Sequence, residues 1–187
     1  MTAPPPAPQP GRDGEPGPTG EVPAGLSGTN VSVRVAAVSD IPQLAELYSA
    51  AYAELVTARG GRVLLGLGAR PTDVAGSFSA QLSDPAQHVV AGFIAPLTGG
   101  PAGYGTCRTY EMAGDELLGC IEELYVKPEA RRTGVGSAVA ASLLEWCQAR
   151  GCTGVDAKAL PGSRAVKSFF EGEGFTARLL VMHRPLR

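Results

Sequence analysis

The chain has 187 residues, 44% of them hydrophobic and 18% charged, with a formal net charge of −2. That balance fits one globular domain with a core of its own plus a spare segment. The near-neutral charge excludes a basic field that would recruit nucleic acid or an anionic membrane, and no apolar run nears the roughly 20 residues of a spanning helix.

Residues 1–30 contain eight of the sixteen prolines and almost no large apolar side chain. Such a segment cannot bury enough surface to offset its ordering entropy, so a disordered tail is expected there. The spacing of Pro5, Pro6 and Pro8 also suits a polyproline-binding partner. An apolar signal core is missing from this stretch, so a cytoplasmic protein is expected. The domain proper is expected over 31–187.

Val31, Val33 and Val35 alternate with polar residues and read as a first strand. Ser39-Asp40 supplies helix-capping chemistry and Pro42 fits a first helical turn. Leu44, Leu47, Tyr48, Ala51, Tyr52 and Leu55 recur at helical spacing, which predicts a helix to about Ala58 with both tyrosines on its core face. Gly60-Gly61 stops it. The stretch 62–71, RVLLGLGARP, is open to two readings: a covering loop that lines a pocket, or ordinary packing between two helices. Thr72-Asp73 opens a second helix to about Leu82, ended by Asp84-Pro85.

Three antiparallel strands are predicted next, over 88–94, 102–110 and 117–126, joined by glycine-bearing turns. A long helix follows over 135–150, with Val139, Leu143, Trp146 and Cys147 facing the core. Arg150 suits its C-terminal dipole and Gly151 the position just past its end. A strand over 155–160, a helix from Pro161 to about Glu171 and a last strand or strand pair over 175–182 complete the order. The fold class is therefore α/β: a mixed, mostly antiparallel sheet with one parallel βαβ crossover through the long helix.

Cys107, Cys120, Cys147 and Cys152 match no zinc spacing and are expected as reduced, packed thiols; no metal is called for. The chemistry concentrates at 121–150. A β-type run leads through a polar turn with Arg131 and Arg132 into Gly134-Val135-Gly136 and the long helix. Free amides at the helix start, together with its dipole, suit a phosphate-bearing ligand. A P-loop needs a lysine directly after the last glycine, and Ser137 stands there. A dinucleotide fingerprint needs a third small residue where Val139 stands, and glycines tight against the strand end.

The run Leu124-Tyr125-Val126-Lys127-Pro128-Glu129-Ala130-Arg131-Arg132-Thr133-Gly134-Val135-Gly136 resembles motif A of the GCN5-related N-acetyltransferases (GNAT family), with Arg131, Gly134 and Gly136 at the matching positions. The run 165–175, AVKSFFEGEGF, resembles that family's second signature, a helix ending in Gly-Phe. The resemblance covers roughly 31–187 and implies an acyl-CoA N-acyltransferase fold. It implies acetyl-CoA as donor and a small-molecule or peptide amine as acceptor, with a homodimer compatible with it.

On that resemblance the backbone of Leu124, Tyr125 and Val126 pairs with the pantetheine arm, and the amides of Arg132, Thr133, Gly134, Val135, Gly136 and Ser137 cradle the pyrophosphate. Arg131 and Arg132 add positive charge. Direct acyl transfer needs a base. Strict strand alternation puts Glu122 on the face of Leu124 and Val126, and Glu123 on the opposite face with Ile121 and Tyr125; a bulge would invert this. Glu122 is favoured, with Glu123 or a water-mediated base as alternatives, and an ion pair or a solvated carboxylate as the structural reading of each. Two positions depart from the family. Phe170 stands where many members carry the tyrosine that protonates the thiolate, leaving Tyr125 or solvent to do so. Ser163 replaces the asparagine that binds the CoA arm. A non-catalytic acyl-CoA-binding or protein-interaction module is the alternative function.

Overall fold

The computed structural model describes residues 30–94, 99–160, 162–179, 182, 184 and 186, Leu67 by its backbone. The tail expected at the N-terminus thus lies outside the described residues, Asn30 excepted. The elements are β1 (Val31–Val35), α1 (Ile41–Thr57), α2 (Gly61–Gly68), α3 (Val74–Ser83), β2 (Gln87–Ile94), β3 (Gly103–Met112), β4 (Glu116–Val126), α4 (Val135–Ala149), β5 (Gly154–Ala157) and α5 (Arg164–Gly172). Short 3-10 turns at Val38–Asp40 and Pro128–Ala130 precede α1 and α4.

The five strands lie in the order β1-β2-β3-β4-β5. Pairing is antiparallel from β1 to β4 and parallel between β4 and β5, as the α4 crossover requires. Helix α4 covers one face. Its buried Val135, Val139, Leu143 and Cys147 meet Val90, Ile94, Ala102, Cys107 and Ile121 of the sheet region. The helix sits close enough that a Cβ on Gly105 of β3 would stand 2.7 Å from Val139 Cγ1 and 2.8 Å from Leu143 Cδ1. On the other face, Leu44, Leu47 and Tyr48 of α1 and Phe78 of α3 pack with Val89, Tyr104 and Tyr125.

Three expectations change. Residues 61–68 form a helix rather than a loop, started by Gly60 in the left-handed region at φ 82°. Three of its residues, Arg62, Leu65 and Gly66, line a hollow against α1, while Val63 stays exposed. Tyr48 is buried as expected, but Tyr52 is 42% exposed: its ring lies tilted against that of Tyr48, with centroids 6.1 Å apart. Over 175–179 the chain forms no strand, and positions 180 and 181 lie outside the described residues. The amide of Phe175 turns back to Phe170 O at 2.9 Å, which closes the end of α5 instead of starting a ladder.

Asp40 does not cap α1 with its side chain. Its carboxylate takes the Ala37 amide at 2.7 Å and both terminal nitrogens of Arg34, at 2.6 and 2.8 Å. The capping chemistry is used one turn early, to fix the chain between β1 and α1.

Candidate functional site

Strand β5 pairs with β4 only from Leu118 to Ile121. From position 122 to 126 no strand among the described residues pairs with β4 on that side, so its edge is open there. Lys127 donates its amide across to Ala102 O at 2.9 Å, and Tyr125 lies opposite Tyr104. By the alternation of an antiparallel ladder, Tyr125 then spends its backbone on β3, while Leu124 and Val126 turn theirs to the open edge. Sequence reasoning treated the three alike; the register separates them.

The open edge runs into the mouth of α4. Thr133 Oγ1 donates to Ala130 O at 2.6 Å and tightens the turn. Arg132 has φ 64° and Gly134 φ 94°, two left-handed residues that swing the backbone round before Val135 plugs into the core. The first amide to find a carbonyl is that of Ala138, which donates to Gly134 O at 2.9 Å. The amides of Val135, Gly136 and Ser137 therefore open outward with no acceptor among the described residues, and the positive end of the helix dipole lies behind them. A Cβ on Gly134 would find its nearest atom, Val31 Cγ2, 4.0 Å away, so the approach is clear.

Arg131 is turned elsewhere. Its Nη2 donates to both carboxylate oxygens of Glu54, at 2.7 and 2.8 Å, and its Nε to Val126 O at 3.0 Å. Glu54 also accepts from the Tyr125 hydroxyl at 2.9 Å. The guanidinium thus ties the loop to α1 and closes the final carbonyl of the open edge. Arg132 is exposed as well, and its guanidinium has no ion-pair partner among the described residues.

The carboxylates of β4 sit at a bulge. Thr106 lies opposite Glu123 and Cys107 opposite Ile121, so Glu122 is the extra residue. This corrects the strict alternation: Ile121 joins Leu124 and Val126 on the α4 face, while Glu123 points to the α1–α3 face. Glu122 keeps company with neither Leu124 nor Val126; its Oε1 takes Arg108 Nε at 2.7 Å. Glu123 Oε2 accepts from Arg70 Nη2 at 2.7 Å, Arg70 Nε at 3.1 Å and the Tyr104 hydroxyl at 3.1 Å. Burial pushes the Glu123 carboxyl up, against the pull of Arg70. The same burial, beside that carboxylate, holds Tyr104 well above the usual phenol range.

Arg70 is the functional-region residue that sequence reasoning missed. Its side chain is 4% exposed. Besides Glu123 it reaches Ser77 Oγ at 3.0 Å and Gln81 Oε1 at 2.6 Å, and lies 3.6 Å over the Phe78 ring. One signal was available: a lone cation ending an apolar stretch and two adjacent acids in an apolar strand are complementary oddities.

At the second signature, Ser163 precedes α5 and its hydroxyl does not cap the helix. Phe170 is in the core, edge-on to Phe169 and Phe175 at 5.2 Å each. Phe169 faces the α4 mouth, 3.3 Å from where a Gly136 Cβ would be. Tyr125 is held above its ordinary pKa by burial and by Glu54, so its proton is committed to that carboxylate. Two adjoining hollows, of about 320 and 570 Å³, share Tyr52 and lie among α1, α2 and the start of α3; Arg70 lines the smaller.

The splayed β4 edge, the open amides at the α4 mouth and the mixed sheet behind them define an acyltransferase-type α/β fold. A family model described as "Acetyltransferase (GNAT) family" matches residues 43–175, and the chain belongs to that family. Among solved structures, it is similar to a putative acetyltransferase from Agrobacterium tumefaciens str. C58, at 21% identity and TM-score 0.61, with 83% of this chain and 99% of that one covered. It is similar to an aminoglycoside acetyltransferase from an uncultured soil metagenomic sample, at 17% identity and TM-score 0.63, with 84% and 95% covered. It is also similar to glucosamine-6-phosphate N-acetyltransferase from Arabidopsis thaliana, at 18% identity and TM-score 0.62, with 84% and 99% covered. At these identities the likeness is one of fold. A comparison with curated proteins finds no match.

Proposed function

We propose that this protein is a cytoplasmic, acetyl-CoA-dependent N-acetyltransferase that moves an acetyl group directly to a primary amine. The observation that carries the reading is the continuity of the free β4 edge with the outward amides of Val135, Gly136 and Ser137. An amide-bearing arm can lie along Leu124 and Val126 as an added strand, and a diphosphate can sit on the helix mouth. Acetyl-CoA would supply an activated thioester at the bulge.

This chain's residues then have three tasks. Val126 N–H and Leu124 C=O orient the arm. The amides from Arg132 to Ser137, with the Arg132 guanidinium, hold the phosphates. Glu122 takes the proton from the incoming ammonium, directly or through one water: one of its carboxylate oxygens is engaged by Arg108, and its side chain is 28% exposed. Glu123 is the second choice, since Arg70 and Tyr104 already occupy Oε2. Ser163 is the polar side chain offered to the arm from the start of α5. The acceptor is read at the level of chemistry, a small-molecule or peptide amine; relatives named for an aminoglycoside and for an amino-sugar phosphate fit that class.

A second reading, an acyl-CoA-binding module without catalysis, draws on Phe170, which offers no proton at the family's acid position. Calorimetry with acetyl-CoA, followed by thiol release over an amine panel, separates the two. Binding with turnover of some amine supports the enzyme, binding without turnover supports the module, and no binding sinks both.

A further inference from the structure

Three of the four cysteines run from the core toward the surface, beginning at the β-bulge. Cys107 of β3 and Cys147 of α4 are both buried, with their Sγ atoms 3.3 Å apart. Two local features of the sequence build this contact. Gly119 of β4 leaves the room: a Cβ there would stand 2.5 Å from Cys147 Sγ. At the end of α4, Gly151 turns left-handed at φ 79°, its amide bonds Gln148 O at 3.0 Å, and the amide of Cys152 bonds Cys147 O at 3.1 Å. This glycine-terminated helix end brings the side chain two positions past the cap onto the one three positions before it. Here those side chains are Cys152 and Cys147, and Cys152 packs against the buried cluster that contains Cys147. Cys152 is partly exposed, whereas its two partners are not.

We propose that Cys152, Cys147 and Cys107 form an oxidant-reactive relay whose end product is a Cys107–Cys147 disulfide joining β3 to α4. The oxidant class is a peroxide. Cys152 thiolate attacks the peroxide oxygen, and with one proton this yields Cys152 sulfenic acid and water. Cys147 thiol attacks the Cys152 sulfur, its proton leaves with the hydroxyl as a second water, and a Cys147–Cys152 disulfide forms. Cys107 thiol then attacks Cys147 Sγ; Cys152 leaves as thiolate and takes up the Cys107 proton. In sum, two thiols and one peroxide become one disulfide and two waters, and Cys152 is regenerated. The last step needs the Cys107 and Cys147 sulfurs to close from 3.3 Å to about 2.05 Å, a side-chain adjustment. Burial holds the Cys152 thiol above its ordinary pKa, so the first step quickens as pH rises. The new bond ties the β-bulge, where Cys107 faces Ile121, to the helix whose mouth carries the open amides.

The test uses the full-length, folded, reduced protein in millimolar hydrogen peroxide. Intact mass should fall by two hydrogen atoms, peptide mapping should find Cys107 linked to Cys147, and dithiothreitol should reverse both. Cys152→Ser should slow the linkage at least about tenfold. Cys107→Ser should stop the reaction at Cys147–Cys152. Alkylating Cys152 in the native wild-type protein should block linkage without any substitution, which keeps the test sound if a variant folds poorly. Three results would overturn the proposal: oxygen uptake without linkage, equally fast linkage in Cys152→Ser or after alkylation, or a bond that forms only once the chain is unfolded.

Discussion

Replacing Arg70 by methionine removes one partner of a buried ion pair and leaves the other in place. The Arg70 side chain is 4% exposed and that of Glu123 17%. Methionine keeps the apolar stem beside Phe78 but supplies no charge. Breaking a buried pair from one side costs about 3–5 kcal/mol, because the remaining charge is uncompensated. Some solvent reaches Glu123, so the loss should fall near about 3 kcal/mol at neutral pH. Burial already lifts the Glu123 carboxyl above its ordinary 4.5, and losing Arg70 lifts it further. A carboxyl raised in the folded state costs stability as pH climbs from its unfolded value through its folded one, and costs nothing below both. The deficit of Arg70→Met should therefore be largest at neutral pH and shrink as pH falls toward 4.5. Urea titrations of both proteins across that range measure it. The double variant Arg70→Met with Glu123→Gln should recover more than half of the loss, because glutamine carries no charge to strand and can still accept from Tyr104. A neutral-pH deficit under about 1 kcal/mol, or one that does not change with pH, would refute the buried-pair account.

Gly134→Asp forces a non-glycine residue to φ 94° and sets an anion beside the outward-facing amides proposed to hold the diphosphate. Stability should drop by about 1–2 kcal/mol and acetyl-CoA affinity by more than about tenfold in calorimetry. Arg131→Ala should change that affinity less than about tenfold, since the guanidinium is spent on Glu54 and Val126 O; a larger loss would mean that it swings to the phosphates. Glu122→Gln should lower kcat by about 100-fold and leave the KM for acetyl-CoA unchanged, whereas the same pattern confined to Glu123→Gln would move the base by one residue. Gly119→Ala should cost about 1–3 kcal/mol through its clash with Cys147 Sγ, and adding Cys147→Ala should return at least half of it in thermal or urea unfolding.

The strands, α1, α3, α4 and the mouth of α4 were legible because each is specified by neighbours in the chain. Val139, Leu143 and Cys147 recur at helical spacing and are all buried. The α4 mouth was readable for the same reason: a glycine that can take φ 94° and a helix start with no side-chain cap are local facts. The stretch 61–68 was harder, since its three glycines argue against the helix that contact with α1 stabilises. The last strand expected over 175–182 was misread at 175–179, where a backbone bond to Phe170 ends α5 instead.

Backbone conformation and apolar period, which depend on residues a few positions apart, let the amino-acid sequence by itself determine most of the sheet-and-helix order, the crossover and the glycine-bearing turn into α4. What only the tertiary structure decided is where the charges went. Arg70 finds Glu123 across 53 positions and Arg131 finds Glu54 across 77. The bulge at Glu122 exists because β3 and β4 must reconcile their registers while both press against α4. A charge taken out of water must be met by whichever opposite charge the packing brings near, and that choice is made by the assembled layers rather than by any stretch of chain.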